Sequence, residues 1–233
     1  MTPFGPGCPW YDDLQRFGPA NLKWCEPRVC GWINEPYNAW SNLGYLAVGA
    51  WIWSKAGSSR AGKGFGAAVF VMGALSFAYH ATNNFLTQAL DFLGMYLMVY
   101  YVLGTNLRRL GLPRAYLAPL YAAACVLSTA ALWPLNRAGI PIQFTVALCA
   151  LLMLGSEFAA RAKTGDQRPL GTFWAAAGTM AVAETCSLLD LKRVVCDPGL
   201  PWLQGHAAWH LLGALGMAFV YRHWAADFDE AWA

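Results

Sequence analysis

Long apolar stretches, broken by short polar links, organise this chain. Seven of them stand out, at 37–54, 64–82, 88–107, 115–133, 140–160, 171–189 and 203–222. Each is close to the roughly 20 residues an α-helix needs to cross the hydrocarbon core of a bilayer. Gly, Ala, Ser and Thr recur within several, which suits close helix packing in lipid. The pattern predicts an all-α polytopic membrane protein, a seven-transmembrane helix bundle over 37–222. A polar cap, 1–36, precedes it on the non-cytoplasmic side, and a short cytoplasmic tail, 223–233, follows it. The cap carries Pro, Gly, Asp, Arg and Cys where a cleavable signal would have an apolar run. Trp10, Trp24 and Trp32 are expected near the membrane interface.

Composition narrows the class. Charged residues are 12% of the chain, against about 25% in soluble domains. Hydrophobic residues are 57%, with 12 Trp among 233 residues. This excludes a disordered chain, and a net charge of +3 gives no support to nucleic-acid binding. Charge placement matters more than its sum. The segments 55–63, 108–114, 161–170 and the tail hold ten Lys and Arg, and the opposite side holds six. Positive residues favour the cytoplasm, so the N-terminus is predicted outside and the C-terminus inside. Cys8, Cys25, Cys30 and Cys196 then share the outside, where disulfides persist. Their spacing leaves all three pairings open. A bacterial inner membrane with a periplasm-facing site fits the short loops, and an ER or Golgi membrane with a lumen-facing site reads the same way.

Ionisable groups inside spans point to function, because lipid makes them costly. His80 lies near the outer end of the second span, Asp91 opens the third, and His206 and His210 lie in the first turns of the seventh. All four therefore reach a similar depth. The i, i+4 spacing of His206 and His210 puts both imidazoles on one helix face. With His80 they provide the three neutral imidazoles of an open catalytic zinc site. Ser76 sits one turn before His80 on the same face, and Asp91 can accept a proton from water at the metal. Glu184 in the sixth span is a candidate for the cavity lining. Its alternative is a protonated group bonded to a neighbouring helix. Glu157 is expected at the interface and His223 in the tail, with no chemistry assigned. Asn83, Asn84 and Gln88 are expected to cap the turn between the second and third spans.

Four segments resemble the alkaline ceramidases, within the wider superfamily of seven-span membrane hydrolases that includes the adiponectin-type receptors. They are Trp24-Cys25-Glu26, the ExxNxxSN pattern from Glu35 through Asn38 and Ser41 to Asn42, the Ser76–His80 segment with Gln88 and Asp91 after it, and Gly205-His206 through Trp209-His210. The resemblance runs from about residue 23 to residue 222. It implies zinc on His80, His206 and His210, with Ser76 and Asp91 as catalytic partners, and a disulfide joining Cys25 to Cys196. It also implies a calcium site in the cap, at positions matched here by Trp24, Glu26 and Glu35. Lys23 stands where that pattern has Asp, and Arg28 where it has Asn. Two cations in place of two oxygen ligands disfavour a hard dication. The expectation is that Lys23 or Arg28 pairs with Glu26 and Glu35 instead of calcium.

The implied reaction is hydrolysis of ceramide to a sphingoid base and a fatty acid, at a site open sideways to the outer leaflet. The bilayer and its ceramide are the expected partners, with no nucleic acid and no obligate protein partner. Two other readings stay open: the same zinc chemistry on a different membrane lipid, or a seven-span receptor with a structural metal. The short cytoplasmic loops favour an enzyme over a receptor.

Overall fold

A computed structural model describes residues 4–200 and 204–232. The regular elements among them are helical: α1 (Tyr11–Phe17), α2 (Pro36–Ser41), α3 (Leu43–Lys55), α4 (Arg60–Thr82), α5 (Phe85–Arg109), α6 (Leu117–Arg137), α7 (Gln143–Thr164), α8 (Gly171–Leu191) and α9 (Gly205–Trp232). A single 3-10 turn, Arg114–Tyr116, leads into α6. Four helical stretches are long and apolar enough to cross a membrane: Arg60–Thr82, Phe85–Arg109, Arg114–Arg137 and Gln143–Thr164. α6 and α7 turn Val126, Leu127, Phe144, Leu148 and Leu151 outward. An exposed apolar surface of that extent marks contact with lipid or another apolar partner, and the protein is membrane-associated.

The count of seven is not reached by this measure, for identifiable reasons. The first expected span is split into α2 and α3 at Asn42, and α2 has only 6 residues. α8 and α9 are long, at 21 and 28 residues. They carry Glu184 and Asp190, and His206 and His210, and these polar groups lower their hydropathy. The expected tail is also different. α9 continues to Trp232, and His223, Trp224, Asp227, Phe228 and Ala231 are buried. The apolar residues Phe228 and Trp232 continue the packing face, so the helix has no reason to stop at 222.

Local chemistry sets the turns. Ser59 caps α4 by accepting from the Gly62 N–H at 2.7 Å, which satisfies a donor that helix starts leave free. At its other end Asn83 adopts the left-handed region, with φ 52°, which Asn tolerates better than most residues. Asn84 then caps α5 by accepting from the Thr87 N–H at 3.1 Å. The expected capping roles of Asn83 and Asn84 therefore hold, and the short reversal runs α5 back along α4, bringing Asp91 level with Ser76. Gln88 ties the turn to the cap, accepting from the Asn21 N–H at 2.9 Å. α3 and α4 meet backbone to backbone: a Cβ on Gly49 would lie 2.7 Å from the Phe70 nitrogen.

The cap is fixed by two disulfides, Cys8–Cys30 and Cys25–Cys196. The second is the pair implied by the resemblance, and the first resolves the remaining choice. Cys125 and Cys149 are buried thiols, while Cys186 is half-buried.

Candidate active site

α4 and α9 bring the three histidines together. His80 and His210 are fully buried and His206 nearly so. Their ligand atoms lie within 4.8 Å of one another, in a group able to hold a metal ion. The Nε2 atoms of His80 and His206 are 3.2 Å apart. Gly205 allows this approach. A Cβ there would collide with the Cys186 carbonyl of α8, so only glycine lets α9 begin against α8.

Ser76 and Asp91 join the same group. The Ser76 hydroxyl lies 3.4 Å from His210 Nε2 and is close enough to the Asp91 carboxylate to act on it. Both residues are buried. The sequence-predicted set of Ser76, His80, Asp91, His206 and His210 is thus one cluster. Glu184 stands apart. It is exposed on α8 and accepts a hydrogen bond from Trp209. The two surface cavities described are lined in one case by Ser59, Arg60 and Asp229, and in the other by Phe17, Phe85, Trp133 and Arg137. Neither includes a histidine of the cluster.

Several partners of the histidines were not assigned to the metal group from the sequence, and two of them, Ser187 and Asp190, lie in none of its motifs. Glu35 Oε2 lies 2.7 Å from His80 Nδ1. Ser41 Oγ is 2.7 Å from His210 Nδ1, and Ser187 Oγ is 3.3 Å from His206 Nδ1. Asp190 on α8 accepts from the His206 N–H at 3.1 Å and the Cys25 N–H at 2.7 Å. One carboxylate thereby pins both the start of α9 and the cap, beside the Cys25–Cys196 bridge. Trp24 lies flat on the His206 ring, with centroids 3.4 Å apart and planes 10° from parallel. In sequence terms Trp24 and Glu35 read as parts of a calcium site. In the fold they touch the histidine cluster.

The expected pairing of Lys23 or Arg28 with the cap carboxylates is not what forms. Lys23 is exposed. Neither cation makes a salt bridge to Glu26 or Glu35 among the described residues, although the charge of Arg28 acts on Glu35. Glu26 instead accepts two backbone N–H bonds, from Tyr37 and Asn38, both at 2.8 Å. Glu35 is held by His80, Asn38 and Asn83. Burial pushes the Glu26 carboxyl up to about 7, against the pull of its N–H donors. Burial likewise raises Glu35 to about 7, opposed by Asn38 and the Arg28 charge. The cation that touches the cap backbone is Arg193, which donates to the Trp24 carbonyl at 3.2 Å.

These donors do not fit a calcium cage. Two of the five implied positions are cations, and the Trp24 carbonyl already accepts from Arg193. Asn38 and Asn83 keep buried carbonyl oxygens without donors. With the two carboxylates that makes six oxygens, the low end of the about six to eight calcium takes, but all four carboxylate oxygens already face hydrogen-bond partners.

Fold and site together define an all-helical, membrane-associated protein with a buried three-histidine group beside a serine and an aspartate. No curated protein matches the sequence. The family model described as Ceramidase matches residues 18–227, and the chain belongs to that family. Membership carries the class of reaction, amide hydrolysis on a lipid of the ceramide type.

Proposed function

We propose that this chain is a zinc-dependent intramembrane ceramidase, releasing a sphingoid base and a free fatty acid. The observation that carries the reading is the buried triad of His80, His206 and His210, with Ser76 and Asp91 against it. Zinc is preferred because three imidazoles with an open position are its usual catalytic donor set. When bound, it supplies Lewis acidity, drawing the pKa of a water from about 15.7 toward about 7 and polarising a carbonyl.

The remaining work falls to the chain's own residues. Asp91 orients the attacking water and takes its proton. As the C–N bond breaks, the same carboxyl delivers a proton to the departing amine, so water is added across the amide. Ser76 donates a hydrogen bond to the charge that grows on the amide oxygen. Trp24 and Trp209 stack against His206 and keep bulk water from that side of the cluster. Ceramide stays in the bilayer because it has two alkyl chains and a small head, so the site is reached sideways from the outer leaflet. In this reading α2–α3, α8 and α9 add three spans to the four apolar helices, with the cap outside and the end of α9 toward the cytoplasm.

The reading is tested by giving purified protein in detergent a panel of ceramides, glycerolipids and N-acyl amino lipids, with products read by mass spectrometry. Sphingoid base and fatty acid are expected from wild type, and neither from His206→Ala. Cleavage of a different lipid class would remove ceramide as the substrate. A zinc-loaded protein that cleaves nothing would remove the enzyme.

A second expectation concerns calcium. In a zinc-buffered assay, a calcium-selective chelator should leave activity unchanged. Activity that is zero in the chelator and returns on adding calcium would overturn the calcium-independent cap.

A further inference from the structure

Each imidazole of the cluster divides its two nitrogens between an outward partner and the common centre. The outward atoms are all Nδ1, facing Glu35, Ser41 and Ser187. The inward atoms are Nε2: those of His80 and His206 face each other, and that of His210 faces Ser76.

Counting protons assigns the tautomers. An ionised carboxylate only accepts, so beside ionised Glu35 the proton of neutral His80 is on Nδ1. Ser41 has one hydroxyl proton, and it goes to the Asn38 carbonyl at 2.8 Å. Toward His210 it can then only accept, which puts the His210 proton on Nδ1 as well. Ser187 differs. Its hydroxyl has no second hydrogen-bond partner among the described residues, so it can donate or accept, and His206 is free to take either tautomer. Two lone pairs cannot rest against each other at 3.2 Å without an electrophile between them. His206 must therefore turn its Nε2 lone pair inward when an ion arrives, and Ser187 can accept the Nδ1 proton that this leaves outside.

We propose that Ser41 is a positioning residue that holds His210 in its metal-binding tautomer, as Glu35 does for His80, with Ser187 as the adaptable third partner. This rests on the three-histidine metal reading. Such outer partners raise ligand basicity and fix ring orientation, and losing one costs about 10–100-fold in metal affinity or activity.

The test is zinc affinity, by competition with a chromophoric chelator, on full-length protein in detergent. The visible spectrum of the cobalt-substituted protein is read beside it. Wild type is compared with Ser41→Ala, and Ser41→Thr with Ser41→Val. The last two have nearly the same shape and differ in the hydroxyl, so the comparison survives if the alanine variant folds poorly. Ser41→Ala and Ser41→Val are expected to bind zinc about 10–100-fold more weakly and to shift the cobalt bands, while Ser41→Thr stays near wild type. Wild-type affinity and an unchanged cobalt spectrum in Ser41→Val would overturn the role of Ser41. A wild type that takes up no zinc would overturn the metal reading beneath it.

Discussion

Asp91→Asn is expected to lower kcat by about 10²–10⁴-fold, the range for a lost general acid–base group, while zinc content stays at the wild-type level. Asn preserves the size of the side chain and an oxygen to accept from Ser76. It cannot take a proton from water or return one to the leaving nitrogen. Asp91 holds none of the three ligand positions, so the metal should stay. Ser76→Ala should be milder and different in kind. It removes one donor to the developing oxyanion, worth about 10²–10³-fold in kcat, with KM little changed, because the interaction strengthens only in the transition state. The measurement is kcat, KM and bound zinc for both variants. Asp91→Asn within tenfold of wild type would remove Asp91 as the proton carrier. Loss of zinc from both, with equal inactivity, would show that they support the metal site and not the chemistry.

The five residues of that cluster were legible in the sequence because lipid makes them rare. An apolar span tolerates an ionisable group only for a reason, and the span boundaries put His80, Asp91, His206 and His210 toward the same end of the bundle. The Asn83–Asn84 turn was legible from local chemistry alone. Ser187 and Asp190 were not, and Ser41 stood out only as part of the ExxNxxSN pattern, without its contact to His210. A serine in a membrane helix is as often a packing residue as a hydrogen-bond partner, and only the tertiary fold brings Ser187 to His206 across the turn from α8. Hydropathy marks four of the seven expected spans, and it misses others for the same reason that the site can be found. The histidines and acids that mark function also depress the hydropathy of α8 and α9. Glu35 was assigned to the cap by its position in the chain, yet its carboxylate belongs to the histidine cluster, because the Asn34 and Glu35 N–H groups bond to the Ala81 and His80 carbonyls at 3.0 Å.

The end of α9 gives the largest expected effect on stability. Glu157 and His223, expected at an interface and in a tail, are buried there in a polar knot. Glu157 accepts from Arg109 at 2.6 Å and from the Trp224 indole at 3.0 Å, and lies 3.2 Å from His223. Arg109 also reaches Asp166 at 2.8 Å. Arg168 bridges Asp166 and Asp227, at 2.7 and 2.9 Å, and the Arg168 guanidinium beside Asp166 holds its carboxyl well below the usual range. With Arg161 on Asp166, three guanidinium groups face three carboxylates, so the knot is neutral before His223 is counted. α5, α7, the link to α8 and α9 all contribute to it. A buried network of this kind adds little over an apolar replacement, but removing Glu157 leaves it one positive charge in excess, and an uncompensated buried charge costs about 3–5 kcal/mol. Glu157→Ala should therefore unfold at a temperature lower by the order of 10 °C, at about 2–4 °C per kcal/mol for a chain of this size. Glu157→Gln should fall less, because it can still accept from Trp224. Joint replacement of Glu157 and Arg109 by apolar residues should recover part of the loss, since neither charge is then stranded. The double variant separates electrostatics from packing: if it is no more stable than Glu157→Ala alone, the excess positive charge is not the cause. The cap-end cluster is made by other residues, so the folded fraction of Glu157→Ala should keep its zinc, and heat inactivation should track unfolding with no loss of kcat at low temperature.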